Sequence, residues 1–242
     1  MRLLLFDVDG TLVNSRGAGR LALARALQAA YGMSGEIEMI PLAGSTDWRA
    51  VRESLTPAGL SEADIMAGWP EFCRLAPIYL QQTIAERGLD PCPGALELLA
   101  ALQPAVARRQ ALLGLVTGNL ATTAPVKLAG AGINPAQFRL GGYGSDNGDR
   151  NVLPRLAVER AAALIGLSFS GKAVVVIGDT PADIACGQAI GATTVAVATG
   201  PYRPDVLAAA GADWVFEDLR DTETLLSALL HDSQKPNGSP CR

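Results

Sequence analysis

Apolar and polar positions along the chain follow three rhythms. The first is a short, wholly apolar run, Leu3-Leu4-Leu5-Phe6, that stops at Asp7-Val8-Asp9-Gly10-Thr11. Such a run without alternation predicts a strand buried on both faces. From 14 to 88 the apolar spacing turns helical. The Ala/Leu/Arg-rich stretch 17–30 predicts a helix stopped near Gly32, and 33–45 is irregular. A helix restarts after Ser45 or Thr46 as N-cap, and a long helical pattern over 61–87 opens at Ser61, with Asp64 three residues on. Pro70 is expected to break that helix, with Pro77 a second candidate break. No strand is expected between 14 and 88, which predicts an all-helical insertion.

After Pro91-Cys92-Pro93-Gly94 strands and helices alternate. The pattern predicts a helix over 95–102, a strand over 111–116, a helix over 121–131, a weak strand near 138–143 and a helix over 153–165. A strong strand follows over 173–177, then a helix (181–190), a strand (193–197), a helix (204–210), a strand (214–216) and a helix (220–230). Near-continuous apolar strands separated by helices predict an α/β fold: a Rossmann-like, three-layer α/β/α core with a parallel sheet, plus the helical insertion. The core is expected over 1–13 and 89–230 and the insertion over 14–88. The polar tail 231–242 is expected to be disordered.

Composition narrows the function. A net charge of -4 over 242 residues argues against a nucleic-acid surface. The lysines are Lys127, Lys172 and Lys235, and the other cations are arginines. Cys73, Cys92, Cys186 and Cys241 have no metal-ligand spacing, and the sole histidine, His231, lies near the tail. A zinc site or a Ser-His-Asp triad is therefore not expected. The opening MRLLLFDVDG is too short for a signal peptide and no apolar run reaches about 18 residues, so a cytoplasmic protein with no membrane partner is expected.

The candidate chemistry lies at predicted strand ends. In a strand, residues i and i+2 point the same way, so Asp7 and Asp9 project together where open parallel sheets bind ligands. Two carboxylates this close call for a cation, and oxygen donors suit Mg2+. Val116-Thr117-Gly118-Asn119 ends the next long strand before a helix, a setting that suits an oxyanion or phosphate. Ile177-Gly178-Asp179-Thr180-Pro181-Ala182-Asp183 ends the strongest strand and supplies two more carboxylates. Asp183 can also serve as a partner of the helix dipole, and Thr117 as a plain helix cap. Asp149-Arg150-Asn151, before the 153–165 helix, offers a cation.

These four motifs, in this order, resemble those of the haloacid dehalogenase superfamily of hydrolases. The resemblance implies a phosphatase acting on a small phosphorylated metabolite, phosphoglycolate-like or a sugar phosphate. It implies that Asp7 is the nucleophile and Asp9 the general acid and base. Thr117, with the backbone of Gly118 or Asn119, would hold phosphoryl oxygens. Mg2+ would be bound by Asp7, the Asp9 carbonyl and Asp179, with Asp183 a ligand or just behind the ligands. The family usually has Lys in the third motif. Arg150 is the preferred match here, and Lys127 the competitor, expected to face solvent from mid-helix. The insertion resembles the family's helical cap, the loop Gly44-Ser45-Thr46-Asp47 its substrate-specificity loop, and 12–18 the mobile element coupled to closure. Ser45 and Thr46 are thereby candidate substrate contacts. A hexose-phosphate mutase of the beta-phosphoglucomutase type is the alternative, kept open by Arg16, Arg20, Arg49 and Arg52. A phospho-receiver lacks this insertion. Oligomeric state is left open.

Overall fold

The structure, a computed structural model, describes residues 1–231. Its first strand, β1 (Arg2–Phe6), pairs in parallel with β4 (Ala111–Thr117) on one side and β6 (Val174–Gly178) on the other. The sheet continues outward through β5 (Gly141–Tyr143) beyond β4, and through β7 (Thr193–Val197) and β8 (Trp214–Phe216) beyond β6. All five pairings are parallel, in the order β5-β4-β1-β6-β7-β8. The chain builds outward in one direction, returns to β1 and builds outward in the other. This reversal puts the carboxyl end of β1 at a topological switch point, where such sheets leave a crevice.

Burial on both faces explains the apolar strands. Leu4 and Phe6 pack on one side with α4 (Ala95–Ala107) and α9 (Thr222–Leu230). Leu3 and Leu5 pack on the other with α6 (Leu153–Ile165) and with Cys186 of α7 (Pro181–Gln188). A smaller cluster joins Ile184 of α7 to Leu207 of α8 (Pro204–Ala209). The predicted three-layer core is observed.

The insertion carries α1 (Ala18–Tyr31), α2 (Asp47–Leu55) and α3 (Glu62–Arg87), with its own apolar cluster around Leu27, Val51, Ile65 and Phe72. Contrary to expectation, α3 runs unbroken through Pro70 and Pro77. Pro70 lies on the solvent side, where the carbonyl it deprives of a partner can bond water. The buried stripe Ile65, Phe72, Ala76, Leu80 and Thr83 pins the helix on both sides of each proline. Trp69 stacks on Phe72 at 5.2 Å between ring centroids, fixing the middle of the helix from a second direction.

Where the chain crosses between sheet and insertion, β2 (Val13–Asn14) pairs antiparallel with β3 (Asp90–Pro91). A short strand thus occupies part of 12–18, the stretch read from the sequence as the mobile element. Other boundaries also shift: α4 continues past 102 to Ala107, and α5 (Ala124–Gly130) starts later than 121. Cys73, Cys92 and Cys186 are free thiols, and no described helix is long and apolar enough to cross a membrane. From 232 onward, the expectation for the tail lies outside the described residues.

Candidate active site

Past β1 the backbone keeps one more sheet bond, from the Asp7 N–H to the Ile177 carbonyl at 2.8 Å, and then turns. The turn needs Gly10, whose φ is +79°, a conformation costly for a residue with a Cβ. A Cβ there would also lie 2.3 Å from Asp179 Oδ2. Gly10 therefore lets the first motif close onto the end of β6. Asp7, Asp9, Thr117, Arg150 and Asp179 line one cavity of about 230 Å³, walled on its far side by the insertion.

Three buried carboxylates, Asp7, Asp179 and Asp183, bring oxygens within 4.8 Å of one another. Arg150, itself buried, is the cation among them. Its Nη2 lies 3.1 Å from Asp7 Oδ1, its Nε donates to Asp183 Oδ1 at 3.1 Å, and its Nη2 donates there too. Arg150, the preferred third-motif candidate, is thus the cation in contact with Asp7. The other Asp183 oxygen accepts from the Thr180 N–H at 3.0 Å and the Thr180 hydroxyl at 2.6 Å, closing a capping box at the start of α7. Both Asp183 oxygens are thus engaged within the protein, while Asp7, Asp179 and Asp183 together form the group that could hold a metal ion.

The electrostatics ask for more positive charge than Arg150 brings. Burial pushes Asp179 up to about 9, helped by the Asp183 and Asp7 charges and opposed by the Thr11 hydroxyl, which donates to Oδ1 at 3.1 Å. Burial likewise raises Asp7 to about 6, with Arg150 opposing it. Three carboxylates around one guanidinium are stable as anions only with a further cation. The all-oxygen donor set fits a hard divalent ion such as Mg2+.

On the opposite side of Asp7 the second motif forms a polar wall. Thr117 Oγ1 accepts from Asn119 Nδ2 at 2.8 Å, which leaves the hydroxyl proton available to a phosphoryl oxygen. Because α5 starts only at Ala124, Thr117 is not its cap. Gly118 is required for a different reason: a Cβ there would lie 1.9 Å from the Ser45 carbonyl oxygen, so the insertion loop rests on bare backbone.

Lys127 departs most from expectation. Rather than facing solvent, it is 8 % exposed, and its Nζ donates to Asp9 Oδ2 at 2.6 Å and to Asn119 Oδ1 at 2.5 Å. Asn119 Nδ2 donates to the same Asp9 oxygen at 2.7 Å. In so short a helix as α5, the last turn points back over the strand ends rather than outward. The two cations thus divide the two motif-one carboxylates: Arg150 takes Asp7 and Lys127 takes Asp9.

The insertion loop is docked on the core. The Asp47 N–H donates to the Gly118 carbonyl at 2.8 Å, and Asp47 Oδ2 accepts from the Leu120 N–H at 3.0 Å. Burial raises Asp47 to about 6, opposed by the Lys127 charge. Thr46, expected as a substrate contact, has its hydroxyl engaged elsewhere: it accepts from the Arg49 N–H as the α2 N-cap and donates to the Gly148 carbonyl at 2.9 Å. Ser45 lines the cavity with its hydroxyl on the Thr46 carbonyl at 3.3 Å. Sequence reasoning kept Lys127 as the competitor for the third-motif cation but expected it at the surface rather than on Asp9, and it missed the role of Thr11. Thr11 was visible beside Gly10, but its bond to Asp179 joins strands far apart in sequence and has no local signal.

The chain is similar to known proteins in sequence and in fold. A family model described as HAD-hydrolase-like matches residues 153–222. A phosphoglycolate phosphatase of Rhodospirillum rubrum is 30 % identical over 227 residues, covering 89 % of this chain and 86 % of that protein. Among solved structures, a predicted phosphoglycolate phosphatase from Haemophilus somnus aligns with a TM-score of 0.65 at 22 % identity, over 93 % of this chain and 97 % of the other. CbbY from Rhodobacter sphaeroides, in complex with phosphate, aligns with a TM-score of 0.67 at 18 % identity, over 95 % and 99 %.

Proposed function

Because the chain belongs to the haloacid dehalogenase-like hydrolases, we propose that it hydrolyses a small phosphomonoester through an aspartyl-phosphate on Asp7. The observation that carries this reading is the division of labour at the end of β1. One carboxylate is locked among charged groups by Arg150, and its neighbour two residues on is held separately by Lys127 and Asn119 in the same cavity.

In the first step an Asp7 oxygen attacks phosphorus, the Asp7 O–P bond forms and the ester P–O bond breaks. Asp9 gives its proton to the departing alkoxide. Arg150 and the Thr117 hydroxyl bind the phosphoryl oxygens as charge spreads over them. In the second step the Asp9 carboxylate takes a proton from water as that water attacks the phosphorus, releasing phosphate and restoring Asp7. A divalent cation held by Asp7, Asp179 and the Asp9 carbonyl would neutralise charge on the phosphoryl group, and Mg2+ is the expected ion. Asp183 keeps Arg150 aimed, and the insertion, acting as a cap, keeps bulk water out.

A cavity of about 230 Å³ suits a small metabolite. Phosphoglycolate-like substrates are the first expectation, given the Rhodospirillum relative, and sugar phosphates the next. The mutase reading needs cap arginines for a second phosphate. Arg16 pairs with Asp90, Arg49 with Glu53 and Arg52 with Glu62, whereas Arg20 lines the cavity with its guanidinium on the Ile37 and Ile40 carbonyls. This distribution favours the hydrolase. The test is phosphate release from p-nitrophenyl phosphate and phosphoglycolate with Mg2+. Activity should vanish with EDTA, and metal-independent turnover would refute the mechanism.

A further inference from the structure

Lys127 lies apart from Arg150, the cation in contact with Asp7, yet it is buried beside Asp9. We propose that Lys127 is a positioning residue that fixes the carboxylate plane of Asp9 so that one oxygen, Oδ1, carries the proton to and from the reacting oxygens. This rests on the phosphatase reading.

The geometry carries it in three parts. First, both donors near Asp9 converge on the same oxygen: Lys127 Nζ at 2.6 Å and Asn119 Nδ2 at 2.7 Å both reach Oδ2. Among the described residues no donor reaches Oδ1. A carboxylate otherwise turns broadly about its last torsion, and two bonds to one oxygen remove that freedom. Second, the donors hold one another, because Lys127 also donates to Asn119 Oδ1 at 2.5 Å and Asn119 donates to Thr117 Oγ1 at 2.8 Å. The general acid and the phosphate-binding hydroxyl therefore share one frame. Third, a helix of the insertion lies beside the ammonium. Gly19 of α1 faces it closely enough that a Cβ there would stand 3.4 Å from Nζ.

A positioned general acid contributes about 10² to 10⁴ in rate, and most where the leaving group is a poor one. An alkyl phosphate leaves as a strongly basic alkoxide and needs the proton, whereas p-nitrophenolate leaves without it. The experiment compares kcat/KM, which reports the step that expels the leaving group, for phosphoglycolate and p-nitrophenyl phosphate in wild type, Lys127→Met, Lys127→Gln and Lys127→Arg. Lys127→Met should lose about a hundredfold on the alkyl ester and no more than about threefold on the aryl ester. Lys127→Arg should recover most of the alkyl activity. Equal losses on both esters, or no loss, would overturn the proposal. Lys127→Gln, which removes the charge and ends one bond short of the Asp9 oxygen, decides the same question with the same losses expected if the Met variant fails to fold. A crystal structure of the Met or Gln variant supplies a readout independent of turnover. A rotated or split Asp9 carboxylate is expected, and an unchanged one would overturn the proposal even if the wild type cleaved neither ester, the result that would instead refute the phosphatase reading.

Discussion

Replacing Arg150 with Met keeps the bulk and removes the charge. Asp183 is 1 % exposed and Asp7 6 %, so two buried carboxylates lose their guanidinium together. Breaking a buried pair by deleting one partner costs about 3–5 kcal/mol. At about 2–4 °C per kcal/mol for a chain of this size, Tm should fall by roughly 6–20 °C. The loss has a definite pH dependence. Without Arg150 the Asp7 and Asp179 carboxyls, already raised by burial and held down in part by that guanidinium, rise further above their unfolded values, so the folded state binds more protons than the unfolded chain and stability falls as pH rises. The deficit should therefore be small near about pH 5 and large near about pH 8. Thermal and urea unfolding in EDTA measure it, and the double variant Arg150→Met/Asp183→Asn should regain part of the lost stability because one orphaned charge is gone. Turnover should fall by at least about tenfold and not return in the double variant. A Tm within about 2 °C of wild type, or a double variant no better than the single, would refute the electrostatic account of the site.

The same linkage applies to the metal-free wild type. Asp179 is raised to about 9 and Asp7 to about 6 from an ordinary 3.8, so stability should fall as pH climbs from about 4. Mg2+ should then raise Tm more at about pH 8 than at about pH 5, and an equal rise at both would count against Asp179 as a ligand. Gly10→Ala places a Cβ against Asp179 at a positive φ, and should weaken Mg2+ affinity, measured by calorimetry, by about tenfold or more. Gly118→Ala should push the insertion loop off the core through its contact with the Ser45 carbonyl, raising KM about tenfold while Tm falls by only a few degrees. An unchanged KM would show that the docked loop plays no part in holding substrate.

The fold and the chemistry were legible in sequence wherever a short-range rule governed them. Leu3–Phe6 and Val174–Gly178 had to be buried strands because nothing polar interrupts them, and each ends in Asp at the switch point. Asp183 falls in the first turn of α7, and Arg150 comes just before α6, both as read from the sequence. What failed was set by tertiary contacts. Pro70 and Pro77 carry a local breaking signal, overridden by the α3 face that packs on α1 and α2. Lys127 reads as a surface lysine because its partners, Asp9 and Asn119, come from other strand ends, and only the short α5 aims it back at them. Thr46 is the α2 N-cap, as read from the sequence, and lines the cavity, but that the Gly148 carbonyl, a hundred residues away, accepts its proton had no local signal.

The central claim is that Asp7 becomes covalently phosphorylated, and trapping that species tests it most directly. Enzyme mixed with substrate and Mg2+, quenched in acid within a single turnover and examined by mass spectrometry, should carry one phosphoryl group on the peptide containing Asp7. The Asp9→Asn variant, slow to hydrolyse the intermediate, should accumulate more of it, and Asp7→Asn should show none while keeping its fold. Turnover with no phosphoryl adduct, or an adduct that persists in Asp7→Asn, would contradict the account.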